Sequence, residues 1–543
     1  MYVLVVSKRN NMYKMLHWKF LLVPFLISSL GLLSYSGGAN ILAVFPIPAR
    51  SHWTAMQPLL IELAKRGHNL TVVTPFDEKN MPDTWETVLI GKHWNMGGAL
   101  RPGIFNQSPY SSILRMIFLL YDVGLEMCEN VLKEENVQRL IHTEQKTYDL
   151  LIMQLFVDEC FLAFSHKFNI PIVGMPSGPG FIWTSDSVGN PTPLSYISEG
   201  LSAVTDHMTF SERLTNTLMA TYQRVTRRFY FVPKADAIVR KYFNDPYIPS
   251  IADIECNTSL ILVNSHISFG YPRPNVPSRV EVGGMHIFPP KKLPKDIQNY
   301  LDKCTQGVVY FSMGSNLRSA DFPEEKRTIF LNVFSKLKQC VLWKYETDNI
   351  PGKPKNVKID KWLPQTDLLA HKNIQLFITH GGLMSTIESI SRGVPIIGIP
   401  IMADQHANVK RSVSTGIGLQ LDFQNITEVS LTWAISELLN NHRYKENVLK
   451  RNRIFHDRPI KPLEEAVYCT EYVLRHNGAR HLRSAALDLS WYQYMLLDIV
   501  GFLLAVIILI SLASVGLIKY LLRMLTGQKH SAQSKKLKSK KND

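Results

Sequence analysis

The sequence predicts an α/β protein: two doubly wound domains facing a cleft, followed by one membrane-crossing helix. Three observations carry this expectation. A strand–loop–helix–glycine–strand opening begins at residue 41 and its pattern restarts at residue 307. A proline-rich stretch, 271–298, separates the two runs. Ile499–Ile518 then provides 20 residues without a charge, close to what a spanning helix needs. With 543 residues, 45% hydrophobic and 19% charged, the chain can bury several cores and is not globally disordered.

Residues 1–39 read as a signal peptide. Lys8, Arg9, Lys14 and Lys19 precede the apolar run Phe20–Leu33, which is too short to span comfortably, and small residues (Ser34, Ser36, Gly37, Gly38, Ala39) follow. Residues 40–270 form the first α/β domain. Ile41–Pro46 is an apolar run typical of a buried parallel strand, and Met56, Leu59, Leu60 and Leu63 recur at helical spacing. Gly67 stops that helix and Leu70–Thr74 is the next strand. The linker 271–298 holds six prolines and the pair Gly283-Gly284. In the second domain, 299–440, Gly307–Met313 is a strand, Gly314-Ser315-Asn316 a tight loop and 323–337 a helix. Further strands fall at 341–344, 375–379 and 395–399. Residues 441–490 read as a polar helical segment that packs across the domain junction. The membrane helix occupies 495–518, with Trp491, Tyr492 and Tyr494 at its front edge, and 519–543 is a basic tail.

The formal charge of +15 suggests nucleic-acid binding only until it is located. The first 19 residues hold +4 and the last 25 hold +7, leaving +4 for the body, so nucleic-acid binding is excluded. The positive-inside rule places the tail in the cytosol and makes the chain a single-pass type I membrane protein. Lys540 and Lys541 resemble the dilysine signal of endoplasmic-reticulum proteins; a polybasic segment on anionic lipid is the other reading. Six scattered cysteines with no C-x-x-C pair argue against a zinc site or a fold built on disulfides. Sequons at Asn106, Asn257 and Asn425 are open to glycosylation in a lumenal body, whereas Asn69 is expected within a buried strand.

The densest chemistry lies between Trp362 and Gln405. Phe377–Thr379 ends a strand, His380-Gly381-Gly382 makes a turn, and Ser385 and Thr386 open a helix. Glycines, hydroxyls and free N–H groups at a helix start form a phosphate cradle, with His380 as an added donor. Glu388, one turn after Ser385, is placed to accept ribose hydroxyls; a capping box, Ser385-x-x-Glu388, explains the same spacing locally. The whole segment, WLPQTDLLAH through LFITHGGLMSTIES and GVPIIGIP to MADQ, spans 44 residues. It resembles the signature of the UDP-glycosyltransferases, two-domain enzymes of GT-B type. The resemblance implies that Trp362 stacks on uracil and Gln365 lies near base and ribose. It implies that His380, Gly382 and Ser385 contact the diphosphate, Glu388 the ribose, and Asp404 and Gln405 the sugar. Ser312, in Ser312-Met313-Gly314-Ser315, matches a family loop near the diphosphate, and Met384 replaces the asparagine of the plant box. Residues 205–213 (TDHMTFSER) resemble a vertebrate-family stretch. HGGLMSTIES is closer to invertebrate members, many of which use UDP-glucose.

Sugar transfer to a hydroxyl requires a base, and histidine titrates near neutrality. His52 follows Ser51 in the loop before the first helix, where the helix dipole disfavours an imidazolium. The family's S-H-W histidine is the catalytic base, so the resemblance assigns that role to His52. Its partner is expected to be an aspartate after the strand 148–153. Counting from Asp149, Gln154 takes that place; counting back from Cys160, Asp158 does, and Asp158 is the expected partner. No D-x-D pair occurs, so the reaction is expected to need no metal and no cofactor, with UDP-sugar a co-substrate. Helix dipole and hydrogen bonds would then stabilise the leaving UDP, with inversion at the anomeric carbon. The apolar stretches 104–121 and 178–197 are expected to line a pocket for lipophilic acceptors or to lean on the membrane. The expected function is hexose transfer, from UDP-glucose ahead of UDP-glucuronate, to small lipophilic acceptors in the endoplasmic reticulum. A member that binds without transferring is the alternative, and homo-oligomerisation stays open.

Overall fold

The computed structural model describes residues 38–93, 105, 113–143 and 145–539, with side chains to residue 526. The expected signal peptide, Asn106 and Lys540-Lys541 lie outside the described residues. The body ends at Arg483, and residues from Ser484 form a second unit.

Among the described residues, seven parallel strands make the first sheet: β1 (Asn40–Val44), β2 (Asn69–Thr74), β3 (Trp85–Leu89), β4 (Leu150–Gln154), β5 (Ile172–Met175), β6 (Thr258–Val263) and β7 (Arg279–Glu281). Their order is β3-β2-β1-β4-β5-β6-β7. The second sheet has β8 (Val308–Ser312), β9 (Cys340–Lys344), β10 (Val357–Asp360), β11 (Ile374–Thr379), β12 (Ile396–Gly398) and β13 (Gly418–Gln420). Its order is β10-β9-β8-β11-β12-β13. Both sheets therefore reverse direction between their first and fourth strands. In open α/β sheets the crevice beyond that reversal is where ligands bind. The β4 strand is buried at every residue, as a central parallel strand covered on both faces must be.

Three local expectations change. The expected linker contains β7, which pairs with β6 in parallel; with Pro277 just before it, the short strand suits a sheet edge. The first helix begins at Arg50, so His52 lies in its first turn rather than in the preceding loop. Asn69 opens β2 with its side chain exposed, because the buried face begins at Leu70. Two disulfides also form, Cys128–Cys160 and Cys304–Cys340, bracing a fold that the sheets already define.

Among the described residues, five apolar clusters fill the body, and every member lies between Ala39 and Leu482. The cores thus close without the last unit. The chain crosses between halves twice. The first crossing runs through Gly283-Gly284. The second follows the helix His442–His456, after which the helix Pro462–Arg475 returns to the first sheet, where Ala466, Val467 and Leu474 join the Ile41 and Leu59 cluster. The crossings touch: Arg458 Nη2 donates to the Gly283 carbonyl at 2.9 Å, and a Cβ on Gly284 would meet the Phe455 ring at 2.6 Å.

In the second unit, Leu497–Ser539 is one helix, and its segment Leu497–Thr526 is long and apolar enough to cross a membrane.

Candidate active site

A cleft of about 770 Å3 opens beyond the carboxyl ends of both sheets, and His52 and all nine expected donor-side residues line it. Asp158 does not.

His52 is set by its surroundings on the first sheet. Trp53 next to it stacks on Phe76, with ring centres 5.7 Å apart, and donates its indole N–H to Glu78 at 2.9 Å. That pins the helix's first turn. Phe156 meets the His52 ring edge-on at 5.0 Å. Gln154, the last residue of β4, brings its amide to 2.6 Å from His52 Nδ1. Burial pulls the imidazole down to about 4, leaving a neutral ring at pH 7 that can accept a proton. The residue is half-buried and lines the cleft.

The expected His52–Asp158 pair does not form. Asp158 is fully buried behind the cleft; one carboxylate oxygen accepts the Phe156 backbone N–H at 2.7 Å and the other has no hydrogen bond among the described residues. Burial, and then the adjacent Glu159, raise its pKa. Asp158 closes a backbone turn; Gln154 reaches the histidine.

The second sheet supplies the opposite wall. β8 ends at Ser312, whose Oγ accepts the Gly314 N–H at 3.2 Å. β11 ends just before His380, and the helix Leu383–Arg392 takes Gly382 as its N-cap. The His380 ring is held between two glycines: a Cβ on Gly314 or on Gly382 would come within 2.5 Å of it. Gly314, at φ +80°, also needs glycine for its backbone. Burial, with Lys344 nearby, lowers His380 to about 4, so it meets a ligand neutral, as a hydrogen-bond donor.

Ser385 and Glu388 do not form the capping box that their spacing allows. Both face Gln365, whose Nε2 donates to Ser385 Oγ at 3.0 Å and to Glu388 Oε2 at 2.5 Å. Tyr310 orients Gln365 through its Oε1 at 3.0 Å, and Thr366 donates to Glu388 Oε1 at 2.9 Å. Burial raises Glu388, and these donors offset part of the rise. Asp404 is likewise raised by burial and accepts from Asn408 at 2.7 Å. Gln405 spends its Oε1 on the backbone N–H groups of Ile401 and Met402, leaving its Nε2 to donate. Trp362 is 59% exposed and lines the cleft, with Lys344 Nζ over its ring at 5.9 Å from the centre.

Sequence reasoning missed Tyr310, Thr366 and Lys344. Lys344 ends β9 at the cleft wall and pairs with Glu346 at 2.9 Å. Its place at the carboxyl end of a strand was the available signal. Of the expected acceptor stretches, Phe105, Leu120, Phe181, Tyr196 and Ile197 line the cleft.

Comparison with known proteins agrees with this arrangement. The model of the family described as "UDP-glucoronosyl and UDP-glucosyl transferase" matches residues 104–532. "UDP-glycosyltransferase UGT5" of Dactylopius coccus is 38% identical over 502 residues, covering 90% of this chain and 93% of the relative. "UDP-glucuronosyltransferase 2B7" of Homo sapiens is 31% identical over 472 residues, covering 84% and 88%. Among solved structures, a UDP-glucosyltransferase from Polygonum tinctorium aligns with a TM-score of 0.54 at 15% identity, covering 81% of this chain and all of that one. The glycosyltransferase VinC aligns at 0.56 and 16% identity, covering 80% of this chain and 100% of VinC. At such identities these two speak for the shared fold. A sheet reversal facing a second one across a lined cleft, together with relatives matched over most of their length, leads to one conclusion: the chain belongs to the UDP-glucuronosyl and UDP-glucosyl transferase family and is a UDP-glycosyltransferase.

Proposed function

We propose that the enzyme moves a hexose, glucose in preference to glucuronate, from UDP to a hydroxyl of a small lipophilic acceptor, inverting the anomeric carbon. One observation carries the reading. A neutral histidine at the reversal of one sheet shares a cleft with a glycine-flanked histidine and helix N-terminus at the reversal of the other.

The acceptor O–H donates to His52 Nε2. As its oxygen bonds to the anomeric carbon, the bond to the β-phosphate oxygen breaks and the proton passes to Nε2. Nδ1 must then carry a hydrogen, so the Gln154 amide presents its oxygen to the ring; either end of an amide can occupy that position. The charge on departing UDP falls on N–H groups at the start of Leu383–Arg392 and on His380. Trp362 offers a stacking face for uracil, Glu388 accepts ribose hydroxyls with Gln365 beside it, and Ser312, Gly382 and Ser385 border the diphosphate. Asp404 and the Nε2 of Gln405 hold the sugar. No metal or resident cofactor enters this scheme.

The rest of the reading is a type I protein of the endoplasmic-reticulum membrane with its body in the lumen, conjugating lipophilic compounds. The Leu497–Thr526 helix, the basic tail and two disulfides suited to an oxidising compartment support it. Incubating membranes that carry the chain with labelled UDP-glucose or UDP-glucuronate and a panel of phenols should yield a labelled β-glycoside, more of it from UDP-glucose. Absence of conjugate from either donor, with UDP binding intact, would favour a second reading, binding without transfer. That reading draws on the amide partner of His52, which cannot neutralise an imidazolium as a carboxylate can.

A further inference from the structure

Arg273 stands half-buried in the wall of the cleft as a charge without a partner of opposite sign. Its Nη2 donates to Ser185 Oγ at 3.2 Å, and its Nε is buried with no hydrogen bond. Among the described residues, Nη1 has no partner and no carboxylate pairs with the group. The acid whose field reaches it is Glu281, which lies 3.7 Å from Arg279, a second guanidinium with a side chain 1% exposed. Two guanidiniums thus share one carboxylate, and the wall keeps a net positive charge. Burial pulls Arg273 down from its ordinary value, and Glu281 and the Tyr196 phenol offset part of the fall. A guanidinium stays charged through such shifts, and leaving one unpaired out of water is costly.

The backbone holds this side chain in place. Pro272 and Pro274 flank Arg273, which confines its own backbone to extended forms. Asn190, 3% exposed, donates to the Pro274 carbonyl at 3.2 Å and accepts the Val276 N–H at 2.8 Å. Ser185 belongs to the short helix Ile182–Asp186, whose N-cap is Phe181. Phe181 meets Phe156 with ring centres 5.4 Å apart, and Phe156 in turn meets His52. An aromatic wall therefore leads from the base to the helix that anchors Arg273, all on the side of the first sheet. Glu199 lines the same wall and would repel an anion. Burial disfavours its charged form, however, and its Oε2 already accepts from the Leu201 N–H and Ser202.

We propose that the acceptor carries a carboxylate besides its hydroxyl, and that Arg273 binds the carboxylate while the hydroxyl lies at His52. The inference rests on the acceptor reading of the cleft given above and narrows its substrates to lipophilic hydroxy acids. The apolar body of such a molecule lies along Phe156 and Phe181, and its acid meets the free Nη1. The planar fork of a guanidinium suits a planar carboxylate, and the anion supplies the charge that the protein withholds. The carboxylate of a glucuronate donor offers the same chemistry. Arg273 is anchored to Ser185 beside the aromatic wall, however, whereas Asp404 and Gln405, the residues for the donor sugar, belong to the other sheet.

The test uses the full chain, UDP-glucose and para-hydroxy acids of increasing length: hydroxybenzoate, hydroxyphenylpropanoate and hydroxybiphenylcarboxylate, each against its methyl ester. At least one acid should exceed its ester by roughly tenfold or more in kcat/KM, mainly through KM. Arg273→Gln should lower kcat/KM for that acid by roughly 10–100-fold, the worth of a charged hydrogen bond, and alter its ester by less than about threefold. Arg273→Lys should restore part of the preference, and both variants should keep the wild-type UDP affinity, a check on folding. Equal use of every acid and its ester would overturn the proposal, as would an equal loss for both in Arg273→Gln. So would a raised KM for UDP-glucuronate in that variant with the acid's own KM unchanged, which would give the guanidinium to the donor. The conjugate should resist hydroxylamine; an acyl ester would put the carboxylate at His52 and overturn the assignment as well. If neither acids nor esters are conjugated, transfer itself fails. Calorimetry of acid against ester on the UDP-loaded protein then decides separately on Arg273: equal binding overturns the proposal, and a preference lost in Arg273→Gln upholds it.

Discussion

Gln154→Glu is the most informative single change, because it puts a carboxylate where the amide now lies 2.6 Å from His52 Nδ1. With charge centres about 4 Å apart and an effective dielectric constant of about 20, the attraction for an imidazolium is about 4 kcal/mol, or about 3 pKa units. His52, held down to about 4 by burial, would then titrate at about 7. The sign follows directly. A base must be unprotonated, so the wild-type kcat/KM should stay flat down to about pH 5, whereas the variant loses activity as pH falls through about 7. At pH 8 the variant should turn over faster than wild type, since the carboxylate stabilises the charge that forms on the ring. The assay is a pH profile of kcat/KM with one phenol and saturating donor, alongside UDP affinity. An unshifted acid limb in a variant that still binds UDP would refute the pairing. Asp158→Asn should change kcat by no more than about twofold, because asparagine keeps the oxygen that accepts the Phe156 N–H. A large loss there would return the role to the carboxylate.

His52→Ala should lower kcat by roughly 10²–10⁴ and leave UDP affinity unchanged by calorimetry, since the nucleotide contacts belong to the other sheet. Gly382→Ala would drive a methyl group to 2.5 Å from the His380 ring at an ordinary backbone angle, so UDP binding should weaken by at least roughly tenfold while the melting temperature holds. Glu388→Gln should raise the donor KM by roughly 10–100-fold with little change in kcat, the cost of a charged acceptor for ribose hydroxyls. Removing Cys128–Cys160, which closes a separation of 32 residues, should cost about 3–4 kcal/mol in denaturant unfolding, and Cys304–Cys340, at 36, about the same.

The two sheets and the donor wall were legible because their signals are local. Buried parallel strands are apolar runs, and the turn after β11 is marked by two consecutive glycines. The histidine's partner was not legible. The register Val44↔Met153 puts the end of β4 beside the end of β1, and that pairing brings Gln154 to His52. Counting back from Cys160 failed because Cys160 lies in a short turn tied by a disulfide to Cys128, so its spacing does not follow the strand register.

The contact between the two crossings limits how the enzyme can breathe. Two separate straps at opposite ends of a cleft would permit only shear. Here the Gly283–Arg458 hydrogen bond and the Phe455 ring against Gly284 gather both straps at one place. The halves can therefore swing about a single pivot, with amplitude growing with distance from it. Residues near the fulcrum hold almost constant separation, while those at the far rim part most. Substrate entry and product exit are then governed from the rim, and bulk added at Gly283 or Gly284 would jam the swing without touching either substrate.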